Sequence, residues 1–85
     1  MTTRNITVYY DGAEAIVTIE NNQLIVPARV KIVDCDNNEL TELILPEGVK
    51  MVNCSRNQLT ELILPEGIEE VYCDDNVKQI NKTER

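Results

Sequence analysis

Three thiols stand at equal intervals in this chain: Cys35, Cys54 and Cys73 are separated by nineteen positions each. A column of thiolates binds soft metal ions or senses oxidants where the sulfur is exposed and readily ionised. Metal sites usually take two ligands from a close Cys-x-x-Cys pair, and this chain has none. Cysteine also serves as a small core hydrophobe. The equal spacing points to that use, so all three are expected to be buried, reduced and metal-free. Asp34, Asp36, Asp74 and Asp75 form the next group with possible chemistry, but they lack the D-x-[DN]-x-[DN]-G spacing of a calcium loop. There is no His, so a cysteine nucleophile would have no imidazole partner. Neither G-x-S-x-G nor a phosphate loop occurs. The expectation is a chain with no catalytic residue, no cofactor and no metal.

The interval that spaces the thiols is a repeat. Residues 30–48 read VKIVDCDNNELTELILPEG and residues 49–67 read VKMVNCSRNQLTELILPEG, identical at fourteen of nineteen positions. Residues 68–76, IEEVYCDDN, begin a third unit. Leu24-Ile25-Val26-Pro27-Ala28-Arg29 resembles the tail of a unit placed before the first. Apolar residues hold fixed offsets: Val30, Val33, Cys35, Leu40, Leu43 and Leu45 in one unit, Val49, Val52, Cys54, Leu59, Leu62 and Leu64 in the next. Asn38, Asn57 and Asn76 share another offset. The pattern V-x-x-V-x-C-x-x-N-x-L-x-x-L-x-L-P-x-G resembles the leucine-rich repeat, L-x-x-L-x-L-x-x-N-x-L, with Cys in the third apolar slot. Its short period and Leu-Pro look most like the bacterial repeats of YopM- and IpaH-type effectors. Effectors of the IpaH type carry a separate catalytic domain, and the residues after Asn76 are too few for one, so ligase activity is not expected to carry over.

The fold expected is mainly β: a short leucine-rich-repeat solenoid with parallel strands, capped by an N-terminal β-hairpin, in one domain of residues 1–85. Val33 and Cys35 alternate with polar residues, which places strands near 31–36, 50–55 and 69–74. Coils stack about 4.8 Å apart. The Asn side chains are expected to satisfy backbone groups where the chain turns inward. Leu45-Pro46-Glu47-Gly48 suits a type I turn with Pro second and Gly fourth, and Leu64-Pro65-Glu66-Gly67 repeats it. Nineteen residues leave little room for a helix on the far side, and the proline would interrupt one, so extended backbone or short turns are expected there. The cap is read from Ile6, Val8 and Tyr10, the Asp11-Gly12 turn, then Ala15, Val17 and Ile19. Glu20-Asn21-Asn22-Gln23 is a second turn, which makes residues 4–29 cap and partial repeat. The third unit, 68–85, is degenerate: Lys78 stands where Leu40 and Leu59 stand, so this coil either caps the stack or completes itself against another chain.

Outward strand positions are the candidates for function, because they change while the frame stays constant. One row is Ile32, Met51 and Glu70, and the next is Asp34, Asn53 and Tyr72. A third is Asp36, Ser55 and Asp74, with Asn37, Arg56 and Asp75 at its margin. Tyr, Met and Arg are enriched at interfaces, so Tyr72, Met51 and Arg56 are the expected anchors of a protein partner. Glu42, Glu61, Glu47 and Glu66 are read as a solvated edge. Three strands make a face of roughly 240 Å², well below the ~800 Å² per partner of a standard interface. The face must therefore recruit the hairpin, use the coil edges, or double by forming a homodimer or other small oligomer.

Charge narrows the partners. Eight Lys and Arg against fifteen Asp and Glu give a net charge of -7. That balance disfavours direct binding to nucleic acid or to anionic membranes and suits a basic partner. The reading that follows is a non-catalytic protein-interaction module, an adaptor or inhibitor. Two alternatives stand beside it: a structural self-association module, and an acidic inhibitor of phage type that occupies a nucleic-acid-binding groove on an enzyme. No leader is visible in Met1-Thr2-Thr3-Arg4-Asn5, and an odd cysteine count fits reduced thiols, so a cytoplasmic location is expected. The Asn-x-Ser/Thr triplets at Asn5, Asn53 and Asn81 are then chance.

Overall fold

The computed structural model describes residues 3–81 of the chain. The expectations attached to Met1, Thr2 and residues 82–85 fall outside that range. Nine strands and no helix occur among the described residues: β1 Thr3–Tyr10, β2 Ala13–Glu20, β3 Gln23–Ile25, β4 Ile32–Asp34, β5 Glu42–Ile44, β6 Met51–Asn53, β7 Glu61–Leu64, β8 Glu70–Tyr72 and β9 Lys78–Asn81. They build a parallel β-solenoid of about three turns with an antiparallel hairpin at its N-terminal end.

Each coil contributes one short strand to each of two walls. The first wall is β4-β6-β8, parallel and in strict repeat register, with Ile32 beside Met51 and Met51 beside Glu70. The second holds β3 beside β5, Leu24 opposite Leu43, then β7 beside β9. The hairpin joins the walls. Its first strand pairs with β4 and its second with β3, so seven strands run continuously in the order β5-β3-β2-β1-β4-β6-β8. The turn from β2 to β3 has Asn21 at φ 54° and Asn22 at φ 62°. A two-residue turn of type I′ needs positive φ at both centres, and Asn tolerates it best among residues with side chains.

The core lies between the walls. Val33, Cys35, Val52 and Cys54 enter from the first, and Leu24, Leu43 and Leu62 from the second. Val30, Val49, Leu40 and Leu59 fill the corners, all at most 2% exposed. Ile6, Val8 and Ile19 of the hairpin close the N-terminal end. Period-two alternation is thus realised as one buried side chain flanked by two outward ones in the three-residue strands β3 to β6.

Four local expectations need correction. The wall-one strands are three residues long, shorter than 31–36, 50–55 and 69–74. They stop because side chains turn the backbone: Ser55 N donates to Asn53 Oδ1 at 3.2 Å, and Asn37 and Arg56 then sit at φ 61° and 56°. Such Asx contacts compete with strand continuation. The Leu-Pro-Glu-Gly turn is centred one residue later than expected, on Glu47-Gly48. Gly48 lies at φ 96° and Gly67 at φ 86°, the left-handed backbone required at the third position of a type II turn. Cys73 is only half-buried, unlike Cys35 and Cys54, because no further coil covers it. Finally, Lys78 does not occupy the leucine slot. Val77 N donates to Asp74 O at 3.1 Å, and this tight turn shortens the third coil. Val77 is buried while Lys78 is exposed and pairs with Glu61 in register. The third coil therefore returns onto the second within the chain, through β9 on β7, while β8 remains an edge strand.

Candidate functional site

The register places the variable residues as expected for two rows. Ile32, Met51 and Glu70 align across β4, β6 and β8, and so do Asp34, Asn53 and Tyr72. Ile32, Asp34, Glu70 and Tyr72 are exposed, and Met51 and Asn53 are half-buried between their neighbours. Tyr72 Oη donates to Glu70 Oε1 at 2.8 Å, tying the last strand's two outward side chains together. That hydrogen bond, with the glutamate's charge behind it, raises the phenol's pKa.

The third row is not a strand row. Asp36, Ser55 and Asp74 lie just past the strand ends, half-buried, where the chain turns away. Arg56 crosses from one coil to the previous one. Its guanidinium makes a two-pronged contact with the Asp36 carboxylate, Nε to Oδ1 at 3.1 Å and Nη2 to Oδ2. Its backbone N donates to Asp74 Oδ1 at 2.9 Å. The side-chain hydrogen bond from Arg56 is the main reason the Asp36 carboxyl titrates below its usual range. Asp36 and Arg56 thus act first as a bracket between coils, and an exposed pair of this kind contributes little stability.

Sequence reasoning missed the residues that widen this face. β1 runs antiparallel beside β4 with Tyr9 opposite Ile32. On its other side Thr7 pairs with Ile16 of β2. Tyr9 is 39% exposed and Ile16 73%. The first row therefore reads Glu14, Tyr9, Ile32, Met51, Glu70, and Ile16 and Thr7 form the next row of the hairpin. The hairpin's own alternation marks Tyr9 as outward, but its neighbour across the gap was not readable from spacing.

The second wall carries a different surface. Its outward residues are Gln23 and Ile25 on β3, Glu42 and Ile44 on β5, Glu61 and Ile63 on β7, and Lys78 and Ile80 on β9. Ile25, Ile44 and Ile63 are 67%, 47% and 53% exposed. β5 and β7 are neighbours yet share no ladder, so the wall is split between them. A shallow groove runs along the split, lined by Leu43, Ile44, Leu45, Ile63 and Pro65 at one end and by Thr41, Glu42, Thr60 and Glu61 at the other.

Cys35 and Cys54 sit inside, away from both faces, and Cys73 is half-buried at the end of the column. Burial is the main cause that pushes Cys54 up to about 12 and raises Cys35 as well, with the neighbouring thiols and Asp74 or Asp34 adding to it. A thiol whose pKa is raised by folding stabilises the fold while both states are protonated. That contribution is lost as pH climbs from about 8.5, where an unfolded thiol ionises, towards about 12. An alkaline melting series is expected to show stability falling through this window, with a shallower fall in a Cys35→Val, Cys54→Val double variant. Thiol labelling followed by mass spectrometry should modify Cys73 first, and Cys35 and Cys54 at the rate of unfolding. Three equally fast sites would contradict the burial.

Among the described residues no helix is long and apolar enough to cross a membrane. No protein-family model matches the chain, and no curated protein or solved structure matches it.

Proposed function

We propose that this chain is a non-catalytic binding module of the leucine-rich-repeat kind, which takes a protein partner on the five-strand face formed by β2, β1, β4, β6 and β8. One observation carries the reading: of the five positions that differ between the first two coils, two are aligned on the exposed strand face, and both change again in the third coil. Ile32 becomes Met51 and then Glu70, and Asp34 becomes Asn53 and then Tyr72. The hairpin supports the reading by size, because five strands give a face ~24 Å across where three give ~14 Å. Tyr9, Met51 and Tyr72 supply the amphipathic contact area typical of interface centres. A net charge of -7 favours a basic partner over nucleic acid.

The test is capture of partners from lysate by the intact chain, repeated with Met51→Ala and Tyr72→Ala. Both side chains point outward, so melting temperature is expected to stay within a few degrees. Retention of the same partner is expected to fall at least tenfold. Unchanged retention by both variants would refute the strand-face reading. The self-association reading makes the opposite claim about mass: light scattering would give a dimer that Tyr72→Ala, on the exposed edge strand β8, disrupts.

A further inference from the structure

The seven-stranded sheet ends at β8, and no described strand lies beyond it. Each wall-one strand holds the next through the same few backbone groups. Lys31 O accepts from Lys50 N at 2.8 Å, and Cys35 N donates to Asn53 O at 2.8 Å. One coil on, Lys50 O accepts from Glu69 N at 2.9 Å, and Cys54 N donates to Tyr72 O at 2.8 Å. Between them the parallel ladder uses the N–H and C=O of Val33, and then those of Val52. By the same register Glu69 O, Val71 N, Val71 O and Cys73 N face outward from β8. They keep the spacing that holds a strand, with no described strand to take them. The core is open at the same place. Val52 and Cys54 are fully buried, whereas their equivalents Val71 and Cys73 are only half-buried. Gln79 Nε2 approaches Cys73 from the other wall at 3.1 Å, a contact with the sulfur and not with the backbone of β8. Edge strands are commonly blunted by lysine or proline. β9 starts with Lys78 and sets the polar Gln79 beside Leu62, but β8 reads Glu-Val-Tyr and carries neither.

We infer that β8 takes one more strand, an extended basic segment of a protein partner added edge to edge. Backbone groups at strand spacing select an extended chain, because a helix satisfies its own N–H and C=O groups internally. Period-two alternation selects the side chains. Inward residues of the added strand would cover Val71 and Cys73, where a valine continues the column of Val33, Val52 and Val71. Outward residues would stand beside Glu70 and Tyr72, with Glu69 at one end of the edge and Asp74 and Asp75 at the other. Asp74 is engaged by Arg56 N, but Glu69, Glu70 and Asp75 are exposed and have no salt bridge among the described residues. A lysine directly across from Glu70 makes a favourable cross-strand pair. A second copy of this chain fits poorly, because it brings the same acids and a net charge of -7 to the edge. The inference stands apart from the strand-face reading. It uses the backbone of one edge and no side chain of Ile32 or Met51, so either can fail alone.

The probe is a peptide of about seven residues alternating lysine and valine, titrated into the full chain and followed by amide hydrogen exchange. With the peptide bound, the Val71 and Cys73 amides are expected to exchange about tenfold more slowly or better. The Val52 and Cys54 amides, already paired, should keep their rates. The same peptide N-methylated at every residue keeps its charge and side chains but loses its donors, and its affinity should fall about tenfold or more. Glutamate in place of lysine should abolish binding. Glu69→Gln with Glu70→Gln, both at exposed positions, should weaken binding several-fold and leave the melting temperature in place. Ile63→Thr, on the other wall, should bind as the wild type does. Equal binding of the N-methylated peptide would reduce the effect to charge and overturn the inference. So would protection confined to other strands, or no binding. Slow exchange at Val71 and Cys73 in the free chain, together with a dimer mass, would also overturn it by making a second copy the occupant.

Discussion

A chain that begins at Val30, without the hairpin and β3, is expected to lose its cooperative fold and aggregate. The hairpin contributes core to both walls at once. Ile6, Val8, Ile19, Leu24 and Val26 are each at most 8% exposed. Burying five such side chains is worth on the order of 10 kcal/mol at ~1.5–3 kcal/mol each. A domain of this size has a net stability of roughly 4–13 kcal/mol, so their removal alone consumes most of it. The loss does not end there. Val33 and Leu43 of the first coil pack under the removed segment and would face water, and two sheet edges, β4 and β5, would open. Exposed edges beside exposed apolar surface are templates for pairing with other chains. The check is a thermal melt and light scattering of residues 30–85 beside the full chain. A soluble monomer with a sigmoidal melt would show that the coils close themselves, and that the hairpin is decoration on an independent solenoid.

That dependence was only half legible in the sequence. Ile6, Val8 and Tyr10 alternate plainly, and the Asp11-Gly12 turn fixes the hairpin register. Repeat spacing fixes Ile32 beside Met51 in the same way. The pairing of Tyr9 with Ile32 joins a segment outside the repeat to one inside it, so no period encodes it; it follows from the need to cover Val33 and Val30. The third coil misled for the opposite reason. Periodicity extended blindly puts Lys78 in the slot of Leu40 and Leu59, whereas the tight turn at Asp74–Val77 resets the register and gives Val77 to the core. Desolvating a lysine costs far more than shortening a loop by two residues. The exposed isoleucines of the second wall escaped notice because function was sought where residues vary. Ile44 and Ile63 are constant between copies, and constancy looks like core until exposure is measured.

Replacing Asn57 with alanine is expected to cost about 3 kcal/mol and to lower the melting temperature by roughly 10–20 °C, far more than the same change at Gln58 or Asn38. Asn57 reaches from the second coil into the first. Its Oδ1 accepts from Asn38 N at 2.8 Å and Leu40 N at 2.9 Å, while its Nδ2 donates to Cys35 O at 3.0 Å, Cys54 O at 3.0 Å and Ser55 O at 3.2 Å. These are backbone groups at a corner where the chain has left the strand ladder and water has little access. A buried donor left without a partner costs ~1–3 kcal/mol, and alanine would strand two at once. Asn38 holds the same offset but has only one such bond, from its Nδ2 to Asp36 O at 3.0 Å, because the partial coil before it offers no matching backbone. Gln58 is exposed, and its one bond across coils is from its backbone N to Leu40 O, which alanine keeps. The order Asn57, then Asn38, then Gln58 is therefore the expected ranking of destabilisation. An Asn57→Asp variant separates the two halves of the network, since a carboxylate keeps both acceptor bonds and loses all three donations. It should fall between alanine and wild type only if the acceptor half dominates. Equal melting temperatures for Asn57→Ala and Asn38→Ala would mean that the corner is solvated after all, and that the coils are held together by their leucines and valines alone.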